Sequence, residues 1–190
     1  AATKGDWPPY NCDCNVWRSN DDERTLDVDN ARELTLKWRF PRKESERKLG
    51  MVSSTPSVVN GHVYFGTATL PKFYKLRPNG EVAWTYELGD EDQRQANREK
   101  ESRGLIPRGG VYSSALVTDT SVFFSDVKGV AYALDRMTGQ ERWKINSRAK
   151  GFPGAHQANI MMASPIEIDS KVIFAGGALE HAQPRDPNYK

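Results

Sequence analysis

Two cysteines are the residues of this sequence best suited to covalent or metal chemistry, and their spacing matches no familiar site. Cys12 and Cys14 are separated by a single aspartate. Zinc and thioredoxin motifs leave a gap of two residues, c-type haem attachment needs a different pattern, and no second pair completes a metal site. Two ordinary thiols or a short strained disulfide is the favoured interpretation. A disulfide to another chain is the alternative.

The three histidines do not supply a catalytic cluster either. His62 lies in a predicted hairpin turn and is interpreted as structural. His156 is interpreted as a hydrogen-bonded structural residue in preference to a metal ligand. No nucleophile–base–acid triad, phosphate-binding loop or zinc cluster can be assembled from the sequence, which disfavours the enzyme classes built on those sites.

Internal repeats are the elements that would have to position any site. Residues 122–143 predict two strands, a tight turn and a further strand, and residues 63–84 match them with a turn one residue shorter. The matched pairs are Tyr74 with Tyr132, Leu76 with Leu134, Gly80 with Gly139, and Trp84 with Trp143. A third copy begins at Ser164, and residues 34–38 are predicted to be the last strand of another blade.

These repeats predict a propeller. Short strands of alternating apolar residues are separated by turn residues such as Asn60-Gly61. Such units cannot bury both faces alone, and a period of roughly 50 to 60 residues suits four-stranded propeller blades better than the shorter Trp-Asp repeat. We therefore predict an all-β fold, a β-propeller of four-stranded antiparallel blades that is incomplete in this chain. The predicted parts are an N-terminal segment with a closing strand (1–38), blades at 53–86 and 111–146, and the start of a further blade (160–190).

The turns and tryptophans of the repeats have physical roles. Gly80 and Gly139 can adopt the positive φ of a tight hairpin, and Asp135 can accept hydrogen bonds from the turn amides. Trp84 and Trp143 are predicted to lie on outer strands and to fill the gap between neighbouring blades. The densely charged residues 89–103 predict a solvated loop or a short exposed helix between blades.

Composition excludes several classes of partner. The net charge of +2, with acidic and basic residues nearly balanced, gives no basic face for nucleic acid or anionic lipid. No run approaches the ~18 apolar residues needed to cross a bilayer. The start of the chain, without an initiator Met, is typical of a mature end left after signal removal, so we expect a periplasmic or extracellular location.

The motif Ala-Leu-Asp-x-x-Thr-Gly-x-x-x-Trp at residues 133–143 resembles the blade signature of quinoprotein (pyrroloquinoline quinone) dehydrogenases and of related non-catalytic propellers. The opening Gly-Asp-Trp-Pro-Pro-Tyr at residues 5–10 is similar to the mature start of those dehydrogenases. Within the family, residues 156–189 most resemble polyvinyl-alcohol-dehydrogenase-like proteins. The resemblance covers nearly the whole chain.

The resemblance implies a set of site residues. Glu180 stands where the family places a carboxylate on the calcium ion that polarises the quinone. Gly177 and Ala178 stand where backbone amides approach the carboxylates of the cofactor. Tyr112 stands where an arginine usually contacts the quinone, and Arg108, four residues away, is the expected substitute.

The sequence also departs from the family pattern. Met162 replaces a hydroxyl residue that hydrogen-bonds the cofactor, and Ile160 stands where a basic residue is common. The vicinal cysteines of the family site and its catalytic aspartate are not among these residues, so no catalytic residue is assigned. Glu180 and His181 are equally compatible with ordinary rim positions on a propeller loop.

Two functions follow from the resemblance. The leading one is a fragment or subunit of a pyrroloquinoline-quinone-dependent dehydrogenase-like propeller that oxidises an alcohol or sugar hydroxyl, with calcium as its metal. The alternative is a non-catalytic propeller scaffold that mediates protein–protein interaction in an envelope complex. In both, we expect further blades to come from another chain, from the rest of a nicked polypeptide or from other copies.

Overall fold

The computed structural model describes residues 6–7, 24–42 and 49–178 of the 190-residue chain. Two antiparallel sheets of four strands each form in this part, and the strands of each sheet follow chain order. Blade one consists of β1 (Ser57–Val59), β2 (His62–Gly66), β3 (Lys72–Leu76) and β4 (Val82–Glu87). Blade two consists of β5 (Leu116–Val117), β6 (Ser121–Ser125), β7 (Val130–Asp135) and β8 (Glu141–Asn146). The predicted all-β blade architecture is confirmed.

Shorter elements join and follow the blades. Helix α1 (Glu91–Ser102) connects blade one to blade two, and Asp90 caps it by accepting a 2.9 Å hydrogen bond from the Gln93 N–H. The densely charged residues 89–103 were predicted to form either a solvated loop or a short exposed helix, and most of them form this helix. After blade two, β10 (Ile166–Ile168) pairs with β11 (Lys171–Ile173), and β9 (Asn159–Ile160) pairs with β12 (Gly177–Ala178). Within the described ranges, no helix has the length and apolar character required to cross a membrane.

The matched residues of the two repeats occupy matched positions. Tyr74 lies opposite Phe65 and stacks on it with ring centroids 5.2 Å apart, while Tyr132 lies opposite Phe124 and stacks at 5.0 Å. Each blade also has a register shift at the same place, just before Leu76 and just before its partner Leu134. The repeat inferred from sequence is therefore a structural repeat.

The hairpin turns have the expected conformation. Gly80 and Gly139 have φ values of +81° and +74°, a region that side chains other than glycine rarely occupy. Asp135 accepts 2.9 Å hydrogen bonds from the N–H groups of Met137 and Thr138, which closes the turn of blade two.

Aromatic side chains fill the interface between the blades. Phe73 of blade one stacks on Phe124 of blade two, with centroids 4.1 Å apart and planes inclined by 13°. Tyr64 and Tyr132 are fully buried in the same cluster. Because each such ring buries about 150–250 Å² of surface, this cluster is the main apolar contribution to blade–blade packing.

Tryptophans of one blade pack on the turn glycine of the next. Trp84 is 9% exposed, its Nε1 donates to the Arg136 carbonyl at 3.2 Å, and a Cβ added to Gly139 would lie 2.6 Å from its ring. Trp38 makes the same contact with blade one: its Nε1 donates to the Pro78 carbonyl at 2.9 Å and its ring covers Gly80. The predicted packing role is confirmed for Trp84 at the interface between the blades, whereas Trp143 is 37% exposed.

Arg136 reinforces this interface from blade two. Its Nε donates to the Tyr64 hydroxyl and its Nη1 to the Thr118 carbonyl, both at 3.2 Å. Its carbonyl oxygen also accepts a 2.9 Å hydrogen bond from the buried Lys75 ammonium. Polar groups buried between the blades are thus paired across the interface, as burial requires.

Residues 34–38 differ from the prediction. They were expected to form a strand, but they make no ladder in the described part of the chain. A strand needs hydrogen-bonded neighbours, and the other strands of the blade to which this segment would belong are not among the described residues. Its last residue, Trp38, nevertheless takes the place of an outer-strand tryptophan of a preceding blade.

Candidate functional site

The expected cofactor contacts fall at one end of the blades, where β2, β6 and β11 end; we call this the loop end. Each connection that enters a new blade crosses there the residue that follows the second strand of the preceding blade. Val111 N–H donates to the Thr67 carbonyl at 2.9 Å, and Met161 N–H donates in the same way to the Asp126 carbonyl at 3.2 Å. The segments that begin at Val111 and Met161 are therefore equivalent.

Arg108 and Tyr112 flank the first of these crossings. Arg108 forms an isolated β-bridge with Thr69, and its exposed side chain has no hydrogen bond or ion pair within the described ranges. Tyr112 follows Val111, which bridges to Asp126, and is half-buried. Arg108 and Tyr112 thus lie on neighbouring parts of the loop end, with no hydrogen bond between their side chains.

Gly177 and Ala178 reach the loop end through strand pairing. They form β12, whose register sets Gly177 opposite Ile160 and Ala178 opposite Asn159. A Cβ added to Gly177 would meet no atom of the described residues within 4 Å, so these residues leave open space over this backbone. The pairing brings the chain just before Glu180 next to the segment that carries Met161 and Met162.

Four residues singled out from the sequence lie outside the described residues: Glu180, His181, Cys12 and Cys14. Over residues 6–7, 24–42 and 49–178, no group of three or more His, Cys, Asp or Glu side chains is arranged to hold a metal ion. His156 accepts a 3.1 Å hydrogen bond from Ala158 N–H, and the His62 ring contacts the Asn60 carbonyl at 3.0 Å. These two contacts are local to their own loops.

The donors at the loop end suit an anionic ligand. Arg108 offers an exposed guanidinium, Tyr112 offers a phenol and Gly177 offers accessible backbone. The buried hydroxyl of Ser114, two residues after Tyr112, has no hydrogen-bond partner among the residues that the structure describes. A cation, a hydroxyl and open backbone at one end of the blades could hold carboxylate groups of a flat cofactor.

Asp126 is the buried polar centre beneath the loop end. Its Oδ1 accepts 2.9 Å hydrogen bonds from Lys128 N–H and Val130 N–H, and its Oδ2 accepts one of 2.8 Å from the Tyr132 hydroxyl. Burial raises the pKa of the Asp126 carboxyl above its ordinary value, although these three hydrogen bonds oppose the shift. Burial and the nearby carboxylate also raise the pKa of Tyr132. Asp126 therefore fixes the β6–β7 turn, a role that the sequence did not indicate.

Replacing Asp126 by alanine is expected to lower the free energy of unfolding by about 3 kcal/mol, because three buried donors lose their acceptor. Asp126→Asn keeps an oxygen for both backbone N–H groups and is expected to cost only about 1 kcal/mol. Urea unfolding of the completed propeller, followed by circular dichroism, measures both values. Equal losses in the two variants would contradict this role.

The asparagine variant also has an expected pH dependence. Because the pKa of Asp126 is raised in the folded state, the stability contributed by this carboxyl is present below its unfolded pKa of about 3.9 and is lost as pH rises through the folded pKa. The stability penalty of Asp126→Asn relative to the parent is therefore expected to be smaller at pH 7 than at pH 4. A penalty that grows with pH would show that the hydrogen bonds outweigh burial.

A cavity lies beside α1. A cavity of about 500 Å³ separates α1 and the end of blade one from the loop-end side of blade two. Sequence patterns gave no sign of it, because its walls come from segments that are distant in the chain and meet only in the folded structure.

Two complete four-stranded blades that repeat in sequence, structure and turn chemistry define a propeller of the quinoprotein dehydrogenase-like class. The model of the family described as outer membrane protein assembly factor BamB matches residues 8–173. The chain belongs to that family. The closer resemblance to polyvinyl-alcohol-dehydrogenase-like proteins stays a prediction.

Solved structures agree with this fold. The crystal structure of quinohemoprotein alcohol dehydrogenase from Comamonas testosteroni matches 94% of this chain with a TM-score of 0.67 at 21% identity, over 24% of its own length. A europium-containing methanol dehydrogenase matches 93% of this chain with a TM-score of 0.66 at 18% identity, over 28% of its own length. The chain thus spans about a quarter of the length of each protein. A comparison with curated proteins gave no match.

Proposed function

We propose that this chain forms part of a pyrroloquinoline-quinone-dependent propeller that oxidises an alcohol or sugar hydroxyl. The observation that carries the proposal is the loop end. There the Arg108 guanidinium, which has no ion pair among the described residues, and the Gly177 backbone, which those residues leave open, lie on neighbouring connections. Support also comes from the two solved structures, which are by title an alcohol dehydrogenase and a methanol dehydrogenase and which match over 90% of the chain.

The chain's own residues would bind and orient the cofactor. Arg108 would pair with a cofactor carboxylate, the Tyr112 hydroxyl would hydrogen-bond a ring substituent, and the backbone at Gly177 and Ala178 would approach a second carboxylate. Glu180 would supply a carboxylate oxygen to calcium, a hard cation that prefers oxygen ligands. A quinone held there beside calcium would supply the hydride acceptor for oxidation of the hydroxyl group. We assign no catalytic base to this chain.

We also propose the source of the remaining blades, a substrate class and a location. The remaining blades would come from another chain, from the rest of a nicked polypeptide or from other copies, and the substrate would be a small alcohol or sugar. We propose a periplasmic or extracellular location, in keeping with the family description as an outer membrane protein assembly factor.

The first test is reconstitution of the completed propeller with calcium and pyrroloquinoline quinone. We expect bound quinone to be visible by its absorption and dye reduction to follow with simple alcohols. Arg108→Gln is expected to weaken quinone binding by about tenfold or more, because it removes a charge-assisted hydrogen bond. Arg103→Gln, an exposed arginine just after α1, is the matched control and is expected to bind the quinone as the parent does.

Glu180→Ala is expected to lower calcium affinity by at least about tenfold, because an anionic oxygen ligand is lost. The control is Glu167→Ala, which removes an exposed carboxylate on β10. Calcium titration provides a readout that is independent of turnover. If the completed protein neither binds the quinone nor reduces the dye, the dehydrogenase function is wrong, and a non-catalytic scaffold in an envelope complex becomes the better explanation.

A further inference from the structure

The cavity between α1 and blade two has walls that belong to described parts of this chain. Blade one, α1 and blade two each contribute to it, so it does not depend on blades still to be added. Its volume of about 500 Å³ is within the range of small-molecule sites. The residues that line this cavity include three with nitrogen donors and three with apolar surface: Asn97, Lys128 and Arg148, and Leu88, Val130 and Tyr132.

Two cations in the cavity lack a carboxylate partner. Arg148 donates from Nε to the Asn159 carbonyl at 2.6 Å and from Nη2 to the Val127 carbonyl at 3.0 Å, which fixes the guanidinium but leaves its charge without an ion pair among the described residues. The Lys128 ammonium has neither a hydrogen bond nor an ion pair there. The cavity's two acidic residues are already engaged: Asp90 caps α1, and Asp126 accepts three hydrogen bonds.

The Lys128 side chain lies directly against the backbone of Gly109. A Cβ added to Gly109 would lie 2.4 Å from Lys128 Cε, so the aliphatic stem of the lysine crosses directly over that backbone. Burial lowers the pKa of Lys128. Attraction to Asp126 and Asp90 opposes this shift, and repulsion from Lys100 and Arg148 adds to it. A bound anion would stabilise the ammonium form.

Asn97 gives an independent indication of a ligand. This residue of α1 is 8% exposed and lines the cavity, and its carboxamide makes no hydrogen bond in the described part of the chain. Its N–H groups suit an oxyanion in the same cavity.

We propose that this cavity binds a small molecule that carries an oxyanion, a carboxylate or a phosphate, through Lys128, Arg148 and Asn97. Leu88, Val130 and Tyr132 supply an apolar wall, which suits the carbon skeleton of an organic acid or phosphate ester. This proposal does not rest on the proposed dehydrogenase function.

Calorimetric titration of the completed propeller at low ionic strength tests the proposal, with citrate and inorganic phosphate as separate probes. At least one probe is expected to bind at one site per chain. Lys128→Gln is expected to weaken that binding by about tenfold or more. Lys171→Gln removes the same charge from an exposed position on β11 outside the cavity and is expected to leave binding unchanged.

Asn97→Leu separates binding from folding. It removes no charge and replaces an amide that has no partner, so the thermal unfolding temperature is expected to hold or rise while anion binding weakens several-fold. Binding of citrate alone would assign carboxylates as the ligand class, and binding of phosphate alone would assign phosphates. If neither probe binds, or if Lys128→Gln and Lys171→Gln have equal effects, the proposal is wrong.

Discussion

Replacing Trp84 by alanine is expected to lower the free energy of unfolding of the completed propeller by about 4 kcal/mol, the range for truncating a buried aromatic residue. The ring is 9% exposed and lies between the blades, where its N–H pairs with the Arg136 carbonyl. Alanine would leave a cavity and would remove one of the two hydrogen bonds that the Arg136 carbonyl accepts, the other coming from Lys75. Urea unfolding followed by far-ultraviolet circular dichroism measures the loss.

A double-mutant cycle with Gly139 makes this prediction specific to the contact. Gly139→Ala is strained by its φ of +74° and also by a Cβ that would meet the Trp84 ring at 2.6 Å. In the Trp84→Ala background the steric part disappears, so the two losses are expected to be non-additive by more than 1 kcal/mol. Val82→Ala, at a partly exposed position on β4, serves as the control and is expected to cost little. Additive losses would show that the tryptophan acts elsewhere.

The 190-residue chain by itself is not expected to be a stable folded monomer. All six residues of β8 are exposed, and the apolar side chains of Ile166, Ile168 and Ile173 face solvent on β10 and β11. An unpaired outer strand next to exposed apolar residues favours association or unfolding, since propellers hide their edges by closing the ring. Sedimentation velocity is expected to show oligomers, aggregates or an unfolded chain.

A matched measurement on the completed propeller provides the control for this experiment. There we expect one compact species with a cooperative unfolding transition. A monodisperse, folded 21.4 kDa species formed by the isolated chain would contradict the prediction and would show that two blades and their flanking segments form an independent unit.

The blades were predictable because their signals are local and repeated. The pairing of Tyr74 with Tyr132, and of Gly80 with Gly139, follows from turn chemistry and alternation, which depend on a few consecutive residues. The same reasoning was wrong at residues 34–38, because strand formation there needs neighbours from other segments.

The candidate site was less accessible to sequence reasoning. Family resemblance gave Arg108, Tyr112, Gly177 and Ala178, and the structure adds that their connections lie at one end of the blades. Neither resemblance nor periodicity indicated the buried Asp126 or the cavity that Lys128 and Asn97 line. Burial and unpaired charge arise from packing between segments far apart in sequence, so no local pattern signals them.

The indole–glycine contact is directional, and its direction matches that of synthesis. Trp38 covers the turn of blade one, Trp84 covers that of blade two, and Trp143, at 37% exposure, contacts the ring of Phe174 in the segment after blade two. Each of the two described blade turns is therefore covered by an indole that precedes it in the chain. A chain that leaves the ribosome in that order would present each emerging hairpin to an indole already in place. The order of the blades would then follow the order of synthesis. A missing blade would leave one tryptophan without a turn to cover, and the order of the other blades would not change.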